Sequence, residues 1–203
     1  MDERLSEAQL QAWCKEHLGS ALEEILFRTD HLSTAIGCRL QDDRRVVLKL
    51  RGAAARIHEC FAIQRHLWQN GFPCPRPLAE PTDFGSSVLT AEELVDNGEY
   101  REGTRETASM FAAPLARLVF TCSTYRIGGT LSPAPPWLGW DHEGTRIWPA
   151  PDDLDLDLND YADAWLDPIA ERVAGVLRSA EVAPVIGHSD WPIKIVIHIR
   201  CGE

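Results

Sequence analysis

Residues 45–60 read RVVLKLRGAAARIHEC and hold the two features that decide the fold. The run from 45 to 51 is short and β-branched, with one internal cation, Lys49, which predicts a largely buried strand. Residues 56–70 repeat apolar side chains at helical spacing and carry Glu59, ten residues after Lys49. A buried ammonium needs an anion, and a strand–loop–helix hairpin of this length can return Glu59 to Lys49. The alternatives are an edge strand with a solvent-facing lysine and an ordinary surface glutamate.

The residues on either side predict a mixed α+β lobe. Apolar residues recur at helical spacing through residues 6–27, which predicts one or two opening helices. Residues 27–51 change to short β-type runs, which we expect to be separated by turns at Gly37 and at residues 41–43. Residues 87–95 predict a further strand, so the first hundred residues are expected to form a helix, about three strands, a second helix and at least one more strand.

The second half of the chain has a helical character. Residues 106–120 and 161–180 predict helices, whereas residues 121–159 are irregular and rich in Pro, Gly, Trp and Asp. We therefore expect two parts, a β-rich lobe over residues 1–98 and a helical lobe over residues 99–203.

The composition narrows the possible partners. A net charge of −11 over 203 residues argues against a nucleic-acid or anionic-membrane partner, because phosphate backbones require a basic surface. The same charge suits a cationic substrate. The N-terminus has no secretory signal, and no apolar run approaches the roughly 18 residues that span a bilayer, so the expected location is cytoplasmic. The six cysteines include no C-x-x-C pair and are expected to be reduced thiols.

A third element, GHSDW at residues 187–191, follows the helix predicted over residues 161–180. Asp190, in a rigid turn beside His188, could accept a hydrogen bond from a substrate hydroxyl and orient it for attack on a phosphoryl group. The alternative is a buried histidine that holds a turn. A hydrolase using the same two residues is disfavoured, because no nucleophile elbow such as G-x-S-x-G is present.

Taken in order, the three elements resemble the aminoglycoside phosphotransferase and choline kinase-like family. The resemblance implies an α+β, protein-kinase-like two-lobe fold, with a β-rich N-terminal lobe and an incomplete helical C-terminal lobe. It also implies an ATP-dependent (or GTP-dependent) phosphotransferase that acts on a small-molecule hydroxyl with the help of Mg²⁺.

The resemblance also implies roles for individual residues. Lys49 is similar to the family lysine that grips the α- and β-phosphates, and Glu59 is similar to its helix partner. Gly71, followed by the prolines of FPCPRPL, matches the family spacing after that helix. The sequence GHSDW resembles the catalytic loop, with Asp190 as the catalytic base and His188 as its structural support.

Further nucleotide contacts follow from the same resemblance. The sequence VLTAEELVDNGE resembles the strand and hinge whose backbone binds adenine, and Glu93 and Val95 are the candidates within residues 92–95. Members of this family often use a Ser- or Thr-bearing loop between the first strands. Ser33 and Thr34 are therefore candidate phosphate contacts.

Two departures from the family pattern affect the metal site. The family places a Mg²⁺-ligating asparagine five residues after the catalytic aspartate, where this chain has Ile195, which cannot coordinate a hard cation. Lys194 beside it would repel the metal. The family's metal-binding aspartate is expected beyond Glu203, so we expect no metal ligand in this chain. The sequence therefore predicts an impaired, truncated phosphotransferase, and the alternative is an inactive remnant or nucleotide-binding pseudoenzyme.

Overall fold

The structure is a computed structural model of the chain. It describes residues 5–30, 33–52, 54–96, 98, 104–126, 131, 165–179 and 185–187. Two compact units divide the chain, one formed by Met1–Thr130 with Ile186–Glu203 and the other by Leu131–Val185. The expected division at residue 98 stays a prediction.

A five-stranded antiparallel sheet forms the centre of the first unit. Its strands are β1 (Leu22–Asp30), β2 (Thr34–Leu40), β3 (Arg45–Arg51), β4 (Pro77–Phe84) and β5 (Ser87–Glu93). They lie in the order β1-β2-β3-β5-β4, so β3 has a hydrogen-bonded neighbour on each side. The strand that carries Lys49 is therefore central, and the edge-strand alternative is wrong.

Strand β3 separates its side chains between two environments. Val46, Leu48 and Leu50 are buried on one face of the sheet. Lys49 and Arg51 lie on the other face and are partly exposed. This alternation follows from the two-residue period of a strand, and it places the lysine away from the main apolar core.

Helix α1 (Glu7–Trp13), continued by a π-helical turn over Cys14–Leu18, covers the apolar face. The Ser6 hydroxyl accepts the backbone N–H of Gln9, and the Gln9 side chain accepts the backbone N–H of Ser6, so a capping box starts the helix. Burying each large aliphatic side chain in such a core contributes about 1.5–3 kcal/mol. The core contains Leu10, Trp13, Cys14, Leu18, Leu22, Ile36, Cys38, Leu40, Val46, Leu48, Leu50 and Leu89.

Helix α2 (Ala54–Gln69) contacts strands β4 and β5. Gly71 adopts a left-handed backbone with φ of +74°, and the N–H of Phe72 binds the carbonyl of Leu67 at 2.9 Å. These are features of a glycine-terminated helix end. The helix indicated by the pattern over residues 56–70 is confirmed, and Gly71 ends it.

Two further helices lie within the described residues. Helix α3 (Arg105–Cys122) includes Pro114 and extends the predicted helix over residues 106–120 at both ends. Helix α4 (Leu166–Ser179) belongs to the second unit and lies within the predicted helix over residues 161–180. None of the described helices is both long and apolar enough to cross a membrane.

Strand β1 is the main correction to the predicted secondary structure. Helical structure was expected over residues 6–27, but it ends at Leu18, and residues from Leu22 onward form a strand. The β1–β2 pairing shifts register between Leu22 and Glu24, and again just before Phe27. Each shift breaks the two-residue alternation, so the apolar residues of this strand recur at a spacing that imitates a helix.

The region around Gly37 is a second correction. Gly37 was expected in a turn, but it lies inside β2, in register with Val47 of β3. The turn predicted at residues 41–43 is confirmed, because the N–H of Asp43 binds the carbonyl of Leu40 at 3.0 Å. Strand β4 was not predicted.

Candidate functional site

Lys49 forms an ion pair with Glu92 on the sheet face opposite α1. In the β3–β5 register, Lys49 lies beside Thr90, and Val47 lies beside Glu92. Lys49 and Glu92 are therefore diagonal neighbours on one face. The Glu92 side chain is 11% exposed and the Lys49 side chain 32%. The pair is thus anchored in the sheet, while part of the lysine side chain remains open to solvent.

Glu92 is held from two directions. One carboxylate oxygen binds Lys49, and the other accepts a hydrogen bond of 3.0 Å from the Gln64 side-chain amide of α2. The same amide also donates to the carbonyl of Pro75 at 3.0 Å. These partners offset the cost of burying a carboxylate, and they join β3, β5 and α2 at one point.

Arg51 adds a second cation to the same face. Its Nη2 donates to the hydroxyl of buried Thr90 at 3.2 Å. Lys49 and Arg51 thus place two cations near the single carboxylate of Glu92, although the chain as a whole has a net charge of −11. The arrangement can therefore attract a small anion, although the protein as a whole is acidic.

Glu59, the predicted helix partner of Lys49, lies in α2 and contacts a different residue. Burial raises the pKa of Tyr125, and a hydrogen bond to the Glu59 side chain raises it further. Among the ion pairs of the described residues, Lys49 is joined to Glu92, and none joins it to Glu59. A role for Glu59 near a nucleotide stays a prediction that rests on the resemblance.

The two predicted adenine contacts lie at the end of β5, where Glu93 is its last residue and Val95 follows it. The N–H of Glu93 binds the carbonyl of Arg76 at 2.9 Å, and the N–H of Leu94 binds the carbonyl of Arg45 at 3.0 Å. Val95 is 45% exposed, and its N–H has no backbone acceptor within the described part of the chain. Of the two candidates, Glu93 has its N–H bonded to a backbone carbonyl, and the described residues show no such bond for Val95.

Ser33 and Thr34 lie at the turn between β1 and β2. The Thr34 hydroxyl donates to the Asp30 carboxylate at 2.7 Å. Thr34 is in register with Leu50, whose side chain lies on the face opposite Lys49. The structure does not bring this hydroxyl to Lys49, and it places an acidic side chain next to it.

The predicted catalytic residues, His188 and Asp190, lie outside the described residues, and so does Ile195. In the ranges that the structure does describe, no group of three or more His, Cys, Asp or Glu side chains is arranged to hold a metal ion.

Glu92 is the site residue that sequence reasoning missed. It was considered only as part of the hinge backbone, because it stands in the polar-looking run EELVDN. The sequence nevertheless contains a sign of its role, because Glu92 stands at the end of the apolar stretch SVLTAE. A carboxylate buried in a strand of this kind requires a cation nearby.

Comparison with known proteins gives similarity at the level of structure. No protein-family profile and no curated protein sequence matches the chain. The chain is similar to an amicoumacin kinase solved with AMP-PNP, Ca²⁺ and Ami, with 13% identity and a TM-score of 0.57 over 88% of this chain and 55% of that chain. This likeness shows the fold.

Two further solved structures are similar at lower scores. One is a Thermobifida fusca protein assigned as a fructosamine-3-kinase, with 16% identity and a TM-score of 0.47 over 89% of this chain and 66% of that chain. The other is a thermostable mutant of aminoglycoside phosphotransferase APH(4)-Ia with AMP-PNP and hygromycin B. It has 15% identity and a TM-score of 0.41 over 58% of this chain and 39% of that chain.

The five-stranded sheet with its helices α1 and α2 is consistent with a protein-kinase-like α+β N-terminal lobe. The predicted fold class is thereby confirmed, and the chain shares the fold of a small-molecule kinase. It spans 55% of the length of the amicoumacin kinase that it matches.

Proposed function

We propose that this chain provides the nucleotide-binding lobe of an ATP-dependent phosphotransferase that acts on a small-molecule hydroxyl. The observation that carries the proposal is the Lys49 ammonium, which is partly exposed and held by a buried carboxylate on the sheet face opposite α1. A cation fixed in this way suits a polyphosphate ligand. The likeness in fold to a kinase supports the same assignment.

In this proposal Lys49 binds the α- and β-phosphates, and Arg51 adds positive potential beside it. The N–H of Val95 binds the adenine ring of ATP, or the base of GTP as the alternative nucleotide. Ser33 and Thr34 are weaker candidates for phosphate binding, because Thr34 already donates to an acidic side chain.

ATP supplies the phosphoryl group that is transferred. By the family resemblance, Asp190 accepts a hydrogen bond from the acceptor hydroxyl and orients it, and His188 supports the loop. Positioning and charge stabilisation provide nearly all of the catalysis in phosphoryl transfer. The contribution of the described residues is therefore to fix a cation where the phosphates bind.

The acceptor is proposed to be a small molecule with cationic groups, since the chain has a net charge of −11. The amicoumacin kinase of similar fold was solved with Ami, which makes a small-molecule acceptor a consistent choice. The proposal includes a cytoplasmic location and excludes nucleic acid and membrane as partners, on the grounds of composition alone.

A second candidate function is nucleotide binding without phosphoryl transfer. The residue that favours it is Ile195, which stands where the family has a metal-ligating asparagine. Removing one group that stabilises the transition-state charge typically costs about 3–4 kcal/mol, or a factor of roughly a hundred to a thousand in rate. We therefore propose that transfer by this chain is strongly impaired.

Nucleotide binding tests the first part of the proposal. The thermal stability of the full chain is measured with ATP, ADP and adenosine, for the wild type and for Lys49→Met. ATP at about one hundred times its Kd should stabilise the wild type by about 2.7 kcal/mol. We expect ATP to stabilise Lys49→Met no more than adenosine does. A wild type that responds equally to ATP and adenosine would contradict the proposal.

A transfer assay separates the two candidate functions. Phosphate transfer from ATP to a set of cationic small-molecule alcohols is measured with Mg²⁺, for the wild type and for Asp190→Asn. Binding of ATP without transfer supports the nucleotide-binding protein. Robust turnover that disappears in Asp190→Asn would show an active enzyme and refute the impairment.

A further inference from the structure

The carboxylate that pairs with the strand lysine comes from the sheet itself. Lys49 lies on β3 and Glu92 on β5, and each of these strands is hydrogen-bonded on both sides. The backbones of both residues are therefore fixed by the same sheet. A partner on α2 would instead depend on how the helix packs against the strands.

Glu92 is itself fixed in orientation. Its two oxygens bind Lys49 and Gln64, and the Gln64 amide is tied to the carbonyl of Pro75 at 3.0 Å. The carboxylate cannot rotate without losing one of these contacts. The lysine ammonium has three N–H donors, so binding Glu92 leaves further donors for a ligand.

On the premise of the function proposed above, we propose that Glu92 is the positioning residue for Lys49 and that Gln64 holds Glu92 in place. A lysine has a long stem with considerable rotamer freedom, and the ion pair restricts that freedom before a nucleotide binds. The link between the phosphate site and α2 then runs from Lys49 through Glu92 to Gln64. Glu59, whose hydrogen bond to Tyr125 contributes to the raised pKa of that tyrosine, is not the positioning residue in this proposal.

The affinities of the full chain for ATP and for adenosine, measured by titration calorimetry, test this role. Glu92→Gln keeps the shape of the side chain and removes its charge. We expect it to weaken ATP binding about tenfold and to leave adenosine binding unchanged. The reason is that a hydrogen bond to a charged group typically contributes enough free energy to change an affinity by about that factor. A merely structural role would weaken both ligands alike.

Three further variants make the test specific. Glu92→Asp keeps the charge and should recover part of the ATP affinity. Gln64→Met removes the second anchor without removing the charge, so a smaller loss specific to ATP is expected even if Glu92→Gln folds poorly. Glu80→Gln is the matched control, because this acid pairs with Arg65 of α2 on an exposed surface. It should change neither affinity.

Two results would overturn the inference while leaving the proposed function intact. The first is an affinity of Glu92→Gln for ATP that equals or exceeds the affinity of the wild type. Such a result would mean that the Glu92 carboxylate competes with the phosphates of ATP for Lys49. The second is a loss specific to ATP in Glu59→Gln but not in Glu92→Gln. A wild type that does not prefer ATP over adenosine would overturn the proposed function and the inference together.

The reactivity of Lys49 distinguishes these failures without any ligand. Acetylation of Lys49 by an amine-reactive ester is followed by mass spectrometry in the wild type, Glu92→Gln and Glu59→Gln. The Lys49 amine, no longer held by a carboxylate, should react several-fold faster in Glu92→Gln and at the wild-type rate in Glu59→Gln. Equal rates in the wild type and Glu92→Gln would show that Glu92 does not hold the lysine.

Discussion

The ring of Phe27 occupies the space that a side chain at Gly37 would need. The two residues are register partners in the β1–β2 pair. A Cβ placed on Gly37 would lie 2.1 Å from the nearest ring carbon of Phe27, far inside van der Waals contact. Gly37 is therefore required by its neighbour across the strands, and no turn is involved.

We predict that Gly37→Ala destabilises the fold unless Phe27 is shortened. The aromatic ring must move to make room, and such overpacking typically costs about 1–3 kcal/mol. Phe27 is 40% exposed, so the cost should fall at the lower end of that range. Urea unfolding of Gly37→Ala, Phe27→Ala and the double variant measures the coupling. If the two single changes add without interaction, the packing relationship is wrong.

The sheet should be far more sensitive on its α1 face than at its outer strand. Ile36 of β2 is 1% exposed, and Ile25 of β1 is 39% exposed. The same substitution at both positions isolates the effect of burial. We expect Ile36→Ala to lower the free energy of unfolding by about 2–5 kcal/mol and Ile25→Ala to cost well under half as much. Similar losses at both sites, measured by urea unfolding, would contradict the assignment of the core.

Stability should fall as the pH rises above about 9. Burial raises the pKa of Cys14 to about 11. Burial, with Cys14 nearby adding to it, raises the pKa of Cys38 to about 12. In the unfolded chain a thiol loses its proton near pH 8.5, so above that pH the unfolded state binds fewer protons than the folded state. The stabilisation is full below that pH and is lost as the pH rises towards 11 and 12.

Each such thiol contributes a slope of up to about 1.4 kcal/mol per pH unit within its window. Urea unfolding between pH 8 and pH 11 measures the slope in the wild type and in Cys38→Ala, where it should be smaller. Ile36→Val is the control, because it weakens the same core without removing a thiol. A slope that is unchanged in Cys38→Ala would refute the prediction.

Removal of the helix cap at Ser6 should destabilise the chain modestly. Its hydroxyl accepts the N–H of Gln9 at 3.3 Å, and the Gln9 side chain completes the capping box. We expect Ser6→Ala to cost about 0.5–2 kcal/mol in the free energy of unfolding, and Ser6→Asp, which also accepts a hydrogen bond, to cost much less. Equal losses in the two variants would show that the cap is unimportant.

The central strand and its helix could be predicted because local signals determine them. The run around Lys49 is short, β-branched and apolar, which is typical of a strand. Gly71 marks the end of the helical pattern over residues 56–70. Strand β1 could not be predicted in the same way. Its two register shifts arise from the pairing of β1 with β2, which the sequence of β1 does not reveal. They also break the two-residue alternation of apolar and polar side chains by which a strand is recognised in a sequence.

Only one residue of the Lys49–Glu92 ion pair could be predicted from the sequence. Lys49 was recognised because an internal cation in an apolar strand is conspicuous. The length of the strand–loop–helix hairpin and the family resemblance both indicate Glu59 as its partner, whereas the ion pair is made with Glu92. That choice depends on the β3–β5 register, which places Glu92 diagonally from Lys49, and register between strands that are distant in sequence is a tertiary property.

The two outer strands of the described sheet, β1 and β4, are poorly suited to pair with an additional strand. Strand β1 carries two register shifts and charged side chains, including Glu23 and Glu24, which pair with Arg39. Strand β4, on the other side, contains Pro77 and Pro81, which have no N–H to donate. Neither border presents a regular row of free hydrogen-bonding groups to an incoming strand. Addition of a second copy edge to edge, the first step of many aggregation reactions, is therefore disfavoured at both borders of this sheet.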